Sequence, residues 1–134
     1  MNTESNKTTN GIQISVFPDF VQEENTPEGH KYLFSYRVDI KNVGSEWAKL
    51  LSRHWLIINS EGKEEHVRGA GVVGYFPELK PGSSFTYTSY CPIDTEWGTM
   101  EGEFEMVRED GTTFEAEIQR FYLVSPKLLS EKDK

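Results

Sequence analysis

The sequence predicts an all-β protein, an antiparallel sandwich of two sheets with about seven strands. Two observations predict it. Apolar residues alternate with polar ones at a period of two along most of the chain, and clusters of turn-forming residues separate the alternating runs. Because successive side chains of a strand point to opposite faces, each run has one face for a core and one for water.

The alternating runs locate the strands. The clearest lies within residues 30–42, where one face carries only apolar side chains: Tyr32, Phe34, Tyr36, Val38 and Ile40. Similar runs predict strands at roughly 11–21, 30–42, 48–59, 63–71, 83–91, 100–108 and 112–124. In the last run the apolar phase slips before Phe121, so we expect a β-bulge near Gln119 and Arg120.

Turn-forming residues stand between the predicted strands. Proline or glycine occurs in each of the segments 25–29, 59–62, 81–82 and 109–111, where the chain must reverse its direction. The pair Asp110-Gly111, placed between two alternating runs, is a strong signal for a β-hairpin.

One tryptophan indicates a particular kind of sandwich. Trp55 lies in the third predicted strand, where immunoglobulin-like sandwiches carry a core tryptophan. The chain has a single cysteine, Cys91, so the intrachain disulfide of antibody domains is impossible. The closer analogue is therefore a fibronectin type III or cytosolic immunoglobulin-like sandwich.

The length of 134 residues fits one domain. We expect this domain to span residues 11–126, with residues 1–10 and 127–134 as flexible tails, because both ends are polar and lack a sustained strand pattern. The single cysteine and the polar N-terminus, which lacks the apolar core of a signal peptide, predict a cytoplasmic location.

The charge of the chain narrows its possible partners. A formal net charge of −8 and the lack of a basic run argue against nucleic acid binding. No apolar run approaches the roughly 18 residues that a membrane span needs, so no membrane partner is expected.

The spacing G-x-G-x-x-G occurs at Gly69, Gly71 and Gly74. In dinucleotide-binding proteins this spacing lets the backbone approach a pyrophosphate at the start of a helix. Here two prolines and a glycine fall within the next eight residues, so no helix can follow directly. We favour a strand that ends in a tight turn, and phosphate or nucleotide binding stays as the alternative.

Aromatic residues make the same loop a candidate contact surface. Tyr75 and Phe76 follow the last glycine, and aromatic side chains are enriched where proteins bind each other. Trp97 lies in a turn, and we expect it, with the loop 92–98, beside the glycine loop. The alternative for Trp97 is that it caps an open end of the sandwich.

Metal ligands are scarce in the sequence. His66 and Glu64 share one face of a predicted strand and are weak candidates, because a stable zinc site takes three or four ligands with recognisable spacing. We expect neither a metal nor another cofactor. A row of glutamates in the sixth predicted strand, Glu101, Glu103 and Glu105, indicates a solvated face. We expect this face either to lie opposite the neighbours of Glu115 and Glu117 or to be balanced by Arg37 and Lys41.

Catalytic residues are not evident either. His54 precedes Trp55 and should face away from the core, where catalysis would need a nucleophile and an orienting acid nearby. Neither a nucleophile elbow nor a Cys–His pairing can be justified, so we do not expect an enzyme. Arg53 should lie on the side of Trp55 or near its rim, with a structural role such as pairing with an acid. Cys91 should be an unreactive thiol at a loop edge.

Several segments carry a resemblance when they are read together. They are Arg53-His54-Trp55, the run 67–74, Pro77 and Leu79, Pro81-Gly82, the run 85–89 and the turn 98–102. Their order and spacing resemble the ApaG family, also called DUF525, over about Ile12 to Pro126. The resemblance implies a single immunoglobulin- or fibronectin type III-like sandwich, in agreement with the strand pattern.

The resemblance also sets expectations for function. Similar domains in larger eukaryotic proteins, including an F-box substrate-recruiting protein, look like protein-binding modules, and the bacterial proteins have a loose association with cobalt and magnesium efflux. We therefore expect a non-enzymatic module that binds an unidentified protein partner, with self-association left open. The alternatives are a phosphate- or nucleotide-binding protein and an accessory protein linked to cobalt or magnesium efflux.

Overall fold

A computed structural model describes residues 2–128, which form two antiparallel sheets packed face to face. The strands in chain order are β1 Ser5–Thr9, β2 Ile12–Thr26, β3 Gly29–Asn42, β4 Ala48–Asn59, β5 Glu64–Ala70, β6 Glu78–Leu79, β7 Ser84–Ile93, β8 Trp97–Arg108 and β9 Thr113–Val124. One helical turn follows at residues 126–128. None of the described residues belongs to a helix long and apolar enough to cross a membrane.

The two sheets have different strand orders. The first sheet runs β1-β2-β3-β7, and the second runs β5-β4-β8-β9 with β6 beside β4. The predicted all-β sandwich is confirmed, and each predicted strand is present. The first two predicted strands extend further than expected, to Thr26 and from Gly29, because they continue pairing up to a tight hairpin.

The sequence pattern did not predict two short strands. The flexible tail expected over residues 1–10 is wrong for Ser5–Thr9, which form β1 along β2. The sequence of β1 is polar throughout, so its hydrogen bonds to β2, and not an apolar face, define it. The other short strand, β6, pairs two residues with the start of β4. Of the tail expected at 127–134, residues 129–134 lie outside the described part of the chain.

The predicted bulge and hairpin are both confirmed. Met100 pairs with Phe121 and Gly102 with Ile118, so two residues of β9, Gln119 and Arg120, oppose one residue of β8. At the hairpin between β8 and β9, the Gly111 N–H donates to the Arg108 carbonyl (3.0 Å), and Gly111 adopts a φ of 85°.

Trp55 lies at the centre of the core between the sheets. Its ring packs edge to face against Tyr36 of the first sheet, at 5.3 Å between centroids, and against Phe104 and Phe121 of the second, at 6.1 and 5.9 Å. The residues that alternate with it along β4, including His54, point to the outer face. The orientation predicted for Trp55 and His54 is confirmed.

The sandwich is closed along one side and open along the other. On the closed side, the β1 and β9 edges meet: Lys7 pairs with Glu117 (3.4 Å), and the Tyr122 N–H donates to the Thr3 carbonyl (3.0 Å). On the open side, β5 and β7 are the free edges of their sheets, and a groove lies between them.

Gly102 should be the glycine of the second sheet that tolerates replacement least. A Cβ atom at Gly102 would run into the backbone carbonyl oxygen of His54, so Gly102→Ala should lower the free energy of unfolding by about 3 kcal/mol. Gly111→Ala is the control, because a Cβ there meets no atom within 4 Å and only the positive φ is strained, at about 1 kcal/mol. Urea unfolding measures both; equal losses would show that the close approach at Gly102 is unimportant.

Candidate functional site

The glycine-rich segment forms the end of β5 and a tight reverse turn. The Val72 N–H donates to the Tyr75 carbonyl (2.9 Å), and the Tyr75 N–H donates back to the Val72 carbonyl (2.8 Å). The two central residues, Val73 and Gly74, have φ values of 44° and 85°. Two consecutive positive φ values between reciprocal hydrogen bonds correspond to a type I′ turn. The element that follows is β6, a strand.

Each glycine of the G-x-G-x-x-G spacing has a local geometric reason. A Cβ at Gly69 would lie 2.7 Å from Nη2 of Arg53, and one at Gly71 would collide with the Tyr75 carbonyl oxygen. Gly74 supplies the second positive φ of the turn. The spacing therefore follows from the strand end and the turn, as the structural interpretation predicted.

Arg53 ties this segment to β4. Its Nη1 donates to the carbonyl oxygens of Ala70 (3.1 Å) and Gly71 (2.8 Å). The expectation of an acidic partner is wrong: among the described residues, the ion pairs do not include Arg53. The guanidinium instead donates to two backbone carbonyls at the end of β5, where the hydrogen-bond ladder between the strands ends.

The turn presents three apolar side chains to solvent. Tyr75 is 62% exposed, Val73 49% and Phe76 48%, and we call these three residues the turn patch. The Tyr75 ring rests against Phe85 of β7, with 5.8 Å between centroids. A β-branched residue rarely adopts positive φ, so Val73 holds backbone strain at the tip of the patch.

Trp97 does not join the turn patch. Gly69 pairs with Arg53 of β4, whereas Gly98, next to Trp97, pairs with Asn59 of the same strand. Arg53 and Asn59 are six residues apart, which corresponds to about 20 Å along a strand at a rise of 3.3 Å per residue. Trp97 and the segment 92–98 therefore lie toward the opposite end of the sandwich, and the expectation that they lie beside the glycine loop is wrong. Trp97 is 40% exposed there and lines a shallow pocket with Leu128.

The groove on the open side reaches the core. It has a volume of about 640 Å³, and Tyr36, Trp55 and Ile57 contribute apolar surface to it. Cys91 also lines it from within β7, so the prediction of a loop edge is wrong. Burial raises the pKa of the Cys91 thiol to about 12, which keeps the thiol protonated and unreactive at neutral pH.

Three polar side chains form a hydrogen-bonded chain on the outer face of the second sheet. The Nδ1 of His54 lies 2.6 Å from Oε1 of Glu103, and its Nε2 lies 2.8 Å from Nδ1 of His66. The two imidazole rings are stacked, with centroids 5.1 Å apart. Because an ionised carboxylate only accepts, His54 must donate from Nδ1; with neutral rings, its Nε2 then accepts from His66.

Sequence reasoning missed this chain because its members come from three strands. His66 makes its hydrogen bond to His54 across β4 and β5, and this contact could not be read from the spacing of His66 and Glu64. Within residues 2–128, no group of three or more His, Cys, Asp or Glu side chains is arranged to hold a metal ion.

The glutamate row on β8 is balanced from its own sheet. Glu101 accepts hydrogen bonds from Arg120 (2.7 and 2.9 Å), and Glu103 pairs with His54. The row lies opposite the strand of Glu115 and Glu117, as the first alternative predicted. The second alternative is wrong, because Arg37 and Lys41 lie on β3 in the other sheet.

Comparison with known proteins identifies the family. The family model for the ApaG domain, DUF525, matches residues 22–108. This chain belongs to the ApaG family. It is 48% identical over 118 residues to Protein ApaG of Dechloromonas aromatica (strain RCB), covering 88% of this chain and 93% of the relative. It is 52% identical over 120 residues to Protein ApaG of Methylorubrum extorquens (strain PA1), covering 90% of this chain and 92% of that one.

Solved structures agree with the sandwich fold. A crystal structure of an ApaA protein from Bordetella pertussis matches with a TM-score of 0.80 and 43% identity, over 87% of this chain and 94% of that one. A part of Bacteroides uniformis β-glucuronidase, 12% of its length, matches with a TM-score of 0.51 and 16% identity. That second likeness concerns the fold alone.

Replacing the strained valine of the turn should stabilise this ApaG protein. Val73→Asn creates the Asn-Gly pair preferred in type I′ turns, and we expect the free energy of unfolding to rise by about 1 kcal/mol. Val67→Asn is the control, since Val67 is also exposed but lies within β5, so it should give no gain. Urea unfolding measures both, and a loss with Val73→Asn would mean that the turn is not strained.

The imidazole chain gives a tautomer prediction. Long-range ¹⁵N–¹H spectra at a pH where both rings are neutral should show His54 protonated on Nδ1, because Glu103 accepts from that atom. Glu103→Ala should release His54 to the Nε2–H tautomer that free histidine favours, while Glu105→Ala, one position along the same face, should leave it unchanged. An Nε2–H tautomer of His54 in the unmodified protein would contradict the arrangement.

Proposed function

We propose that this ApaG protein is a non-enzymatic binding module that contacts a protein partner through the turn patch. The observation that carries the proposal is the joint exposure of Val73, Tyr75 and Phe76 on one turn. Apolar and aromatic side chains that gather at the surface, instead of lying scattered, are typical of protein contact sites. We further propose that the protein acts in the cytoplasm.

The backbone beneath the turn patch supports this proposal. Reciprocal hydrogen bonds close the turn, and Arg53 holds the two carbonyls just before it. A rigid turn has already lost the conformational entropy that a flexible loop would lose on binding. The positive φ of Val73 adds support, because backbone strain concentrates at functional sites.

The chemistry of the polar groups supports a role without catalysis. His54 has an orienting acid in Glu103, but its other ring nitrogen faces His66, not a hydroxyl or a thiol. The buried Cys91 thiol, with its raised pKa, is a poor nucleophile. Phosphate binding at Gly69–Gly74 has less support than protein contact, because the N–H groups of Gly71 and Val72 already donate to Leu51 and Tyr75.

Substitution in the turn patch tests the proposal. Tyr75→Ser combined with Phe76→Ser should reduce recovery of a specific partner from cytoplasmic extract at least tenfold, measured by quantitative mass spectrometry against the unmodified protein. Val21→Ser is the matched control, since Val21 is 44% exposed on β2 and lies outside the patch. Equal recovery by all three proteins would refute the proposal.

A backbone-amide titration separates the proposal from its alternatives. We expect pyrophosphate, a nucleotide, magnesium and cobalt to leave the ¹⁵N–¹H spectrum unchanged. Saturable shifts confined to Gly69–Gly74 would make the protein a phosphate binder, and shifts centred on His66 or the β8 glutamates would favour a metal-linked role.

A further inference from the structure

We propose that the free edge of β7 receives an extended segment of the partner protein as an added strand, whose inward side chains fill the groove on the open side. The inference rests on the proposed binding function and deepens it, because it names the form of the partner. Addition of a strand to an exposed sheet edge is an established way to recognise a peptide, with backbone hydrogen bonds for affinity and pockets for specificity.

The backbone of β7 supplies the hydrogen-bonding groups. Just before the strand, the Ser83 carbonyl accepts from the Asn42 N–H (2.9 Å), so Ser83 directs its carbonyl toward β3. Because this direction alternates along an antiparallel strand, the N–H and C=O groups of every second residue point away from β3. Those residues are Ser84, Thr86, Thr88, Tyr90 and Pro92, of which Pro92 offers only its carbonyl.

No other strand covers this edge within the described part of the chain. β7 pairs with β3 alone. A free edge of ten residues is a pairing template, and natural proteins block such edges with charges, prolines, bulges or covering loops. β7 has no charge, proline or bulge over its first eight residues, and its sequence there, SFTYTSYC, is rich in strand-forming Thr, Tyr and Phe.

The other edges of the sandwich are protected, which makes β7 distinct. β1 and β9 meet each other on the closed side. β5, the second free edge, carries charged or titratable side chains at most of its positions, namely Glu64, Glu65, His66 and Arg68. β7 carries no charged side chain at any position from Ser84 to Ile93. A strand can therefore pair with β7 without desolvating charge on it.

The groove fits the inward side chains of an added strand. Ser89, Cys91 and Ile93 of β7 line one wall, and Val67 of β5 contributes to the other. Residues directly opposite each other in paired strands point to the same face, so alternate side chains of the added strand would enter the groove. There they would reach Trp55 and the rest of the apolar floor, which favours aliphatic residues at alternate positions.

Charge decides between a foreign segment and a second copy. Each copy has a formal net charge of −8, so two copies repel each other, whereas a segment with basic flanks is attracted. The charges that line the groove include both signs, with Lys31 and Lys63 opposed by Glu65 and Asp94. The occupant is therefore an extended, β-forming segment, apolar at alternate positions and flanked by lysine or arginine.

A synthetic peptide tests the edge directly. The probe is a peptide of six alternating valine and threonine residues with a pair of lysines at each end. The control peptide has the same sequence but is N-methylated at every second residue, so that its N–H groups that would face β7 are lost. Adding the probe to the ¹⁵N-labelled full chain should slow the hydrogen exchange of the backbone amides of Thr86, Thr88 and Tyr90. The amides between them should not change, because they already donate to β3. The N-methylated peptide should bind at least tenfold more weakly, because it lacks the N–H donors.

Two variants place the contact on β7. Thr88→Pro removes one outward N–H, as Pro92 already does four residues further along the same edge. It should weaken binding about fivefold, the equivalent of one hydrogen bond. Thr88→Val keeps that N–H and should bind as the unmodified protein does. A folded spectrum of each variant is checked first; the N-methylated probe keeps the test decisive if Thr88→Pro fails to fold.

The outcomes separate this inference from the function on which it rests. Protection at β5, or equal binding of both peptides, would overturn the strand addition. The same alternate amides of β7 could instead become protected from hydrogen exchange without peptide, and more so at higher protein concentration. That result would show that a second copy occupies the edge, and it would overturn the choice of partner. If the turn-patch variant loses its partner while Thr88→Pro retains it and the probe does not bind, the binding function stands and the β7 edge fails.

Discussion

The structure depends on the packing of Trp55 between the two sheets. Its ring meets Tyr36 from one sheet and Phe104 and Phe121 from the other, so it joins both layers of the core. Truncating a large aromatic in such a position typically costs about 3–5 kcal/mol. The position of Trp55 also fixes the phase of β4: Arg53 falls on its side, beneath Gly69, and His54 falls on the opposite face, beside Glu103.

The second organising feature is the difference between the two sides of the sandwich. An ion pair between β1 and β9, and one backbone hydrogen bond from Tyr122 of β9 to Thr3 just before β1, close one side. Between β5 and β7 the other side is open, and its groove reaches the core. Both surfaces proposed for partner binding, the turn patch and the β7 edge, belong to the open side, and the contact of Tyr75 with Phe85 connects them. A single partner can therefore engage both surfaces.

The glycine spacing shows how a motif can be matched by an unrelated geometry. A pyrophosphate loop needs free N–H groups and a following helix, but here backbone carbonyls occupy two of those N–H groups and a strand follows. Each glycine has a local reason: Arg53 passes beneath Gly69, the Tyr75 carbonyl crowds Gly71, and the turn needs positive φ at Gly74. The strain at Val73 was invisible in the sequence, because valine does not signal a left-handed turn position.

The sequence alone determined the fold class, the main strands, the inward side of Trp55, the bulge at Gln119 and Arg120, and the Asp110-Gly111 hairpin. These features depend on local periodicity and on turn chemistry, which a linear pattern records. Only the tertiary structure determined that Arg53 serves two carbonyls, that His54, His66 and Glu103 meet, that Trp97 lies far from the turn patch, and that the β7 edge is open. Each of these depends on which strands become neighbours and in which register, and long-range pairing leaves no mark in the local pattern.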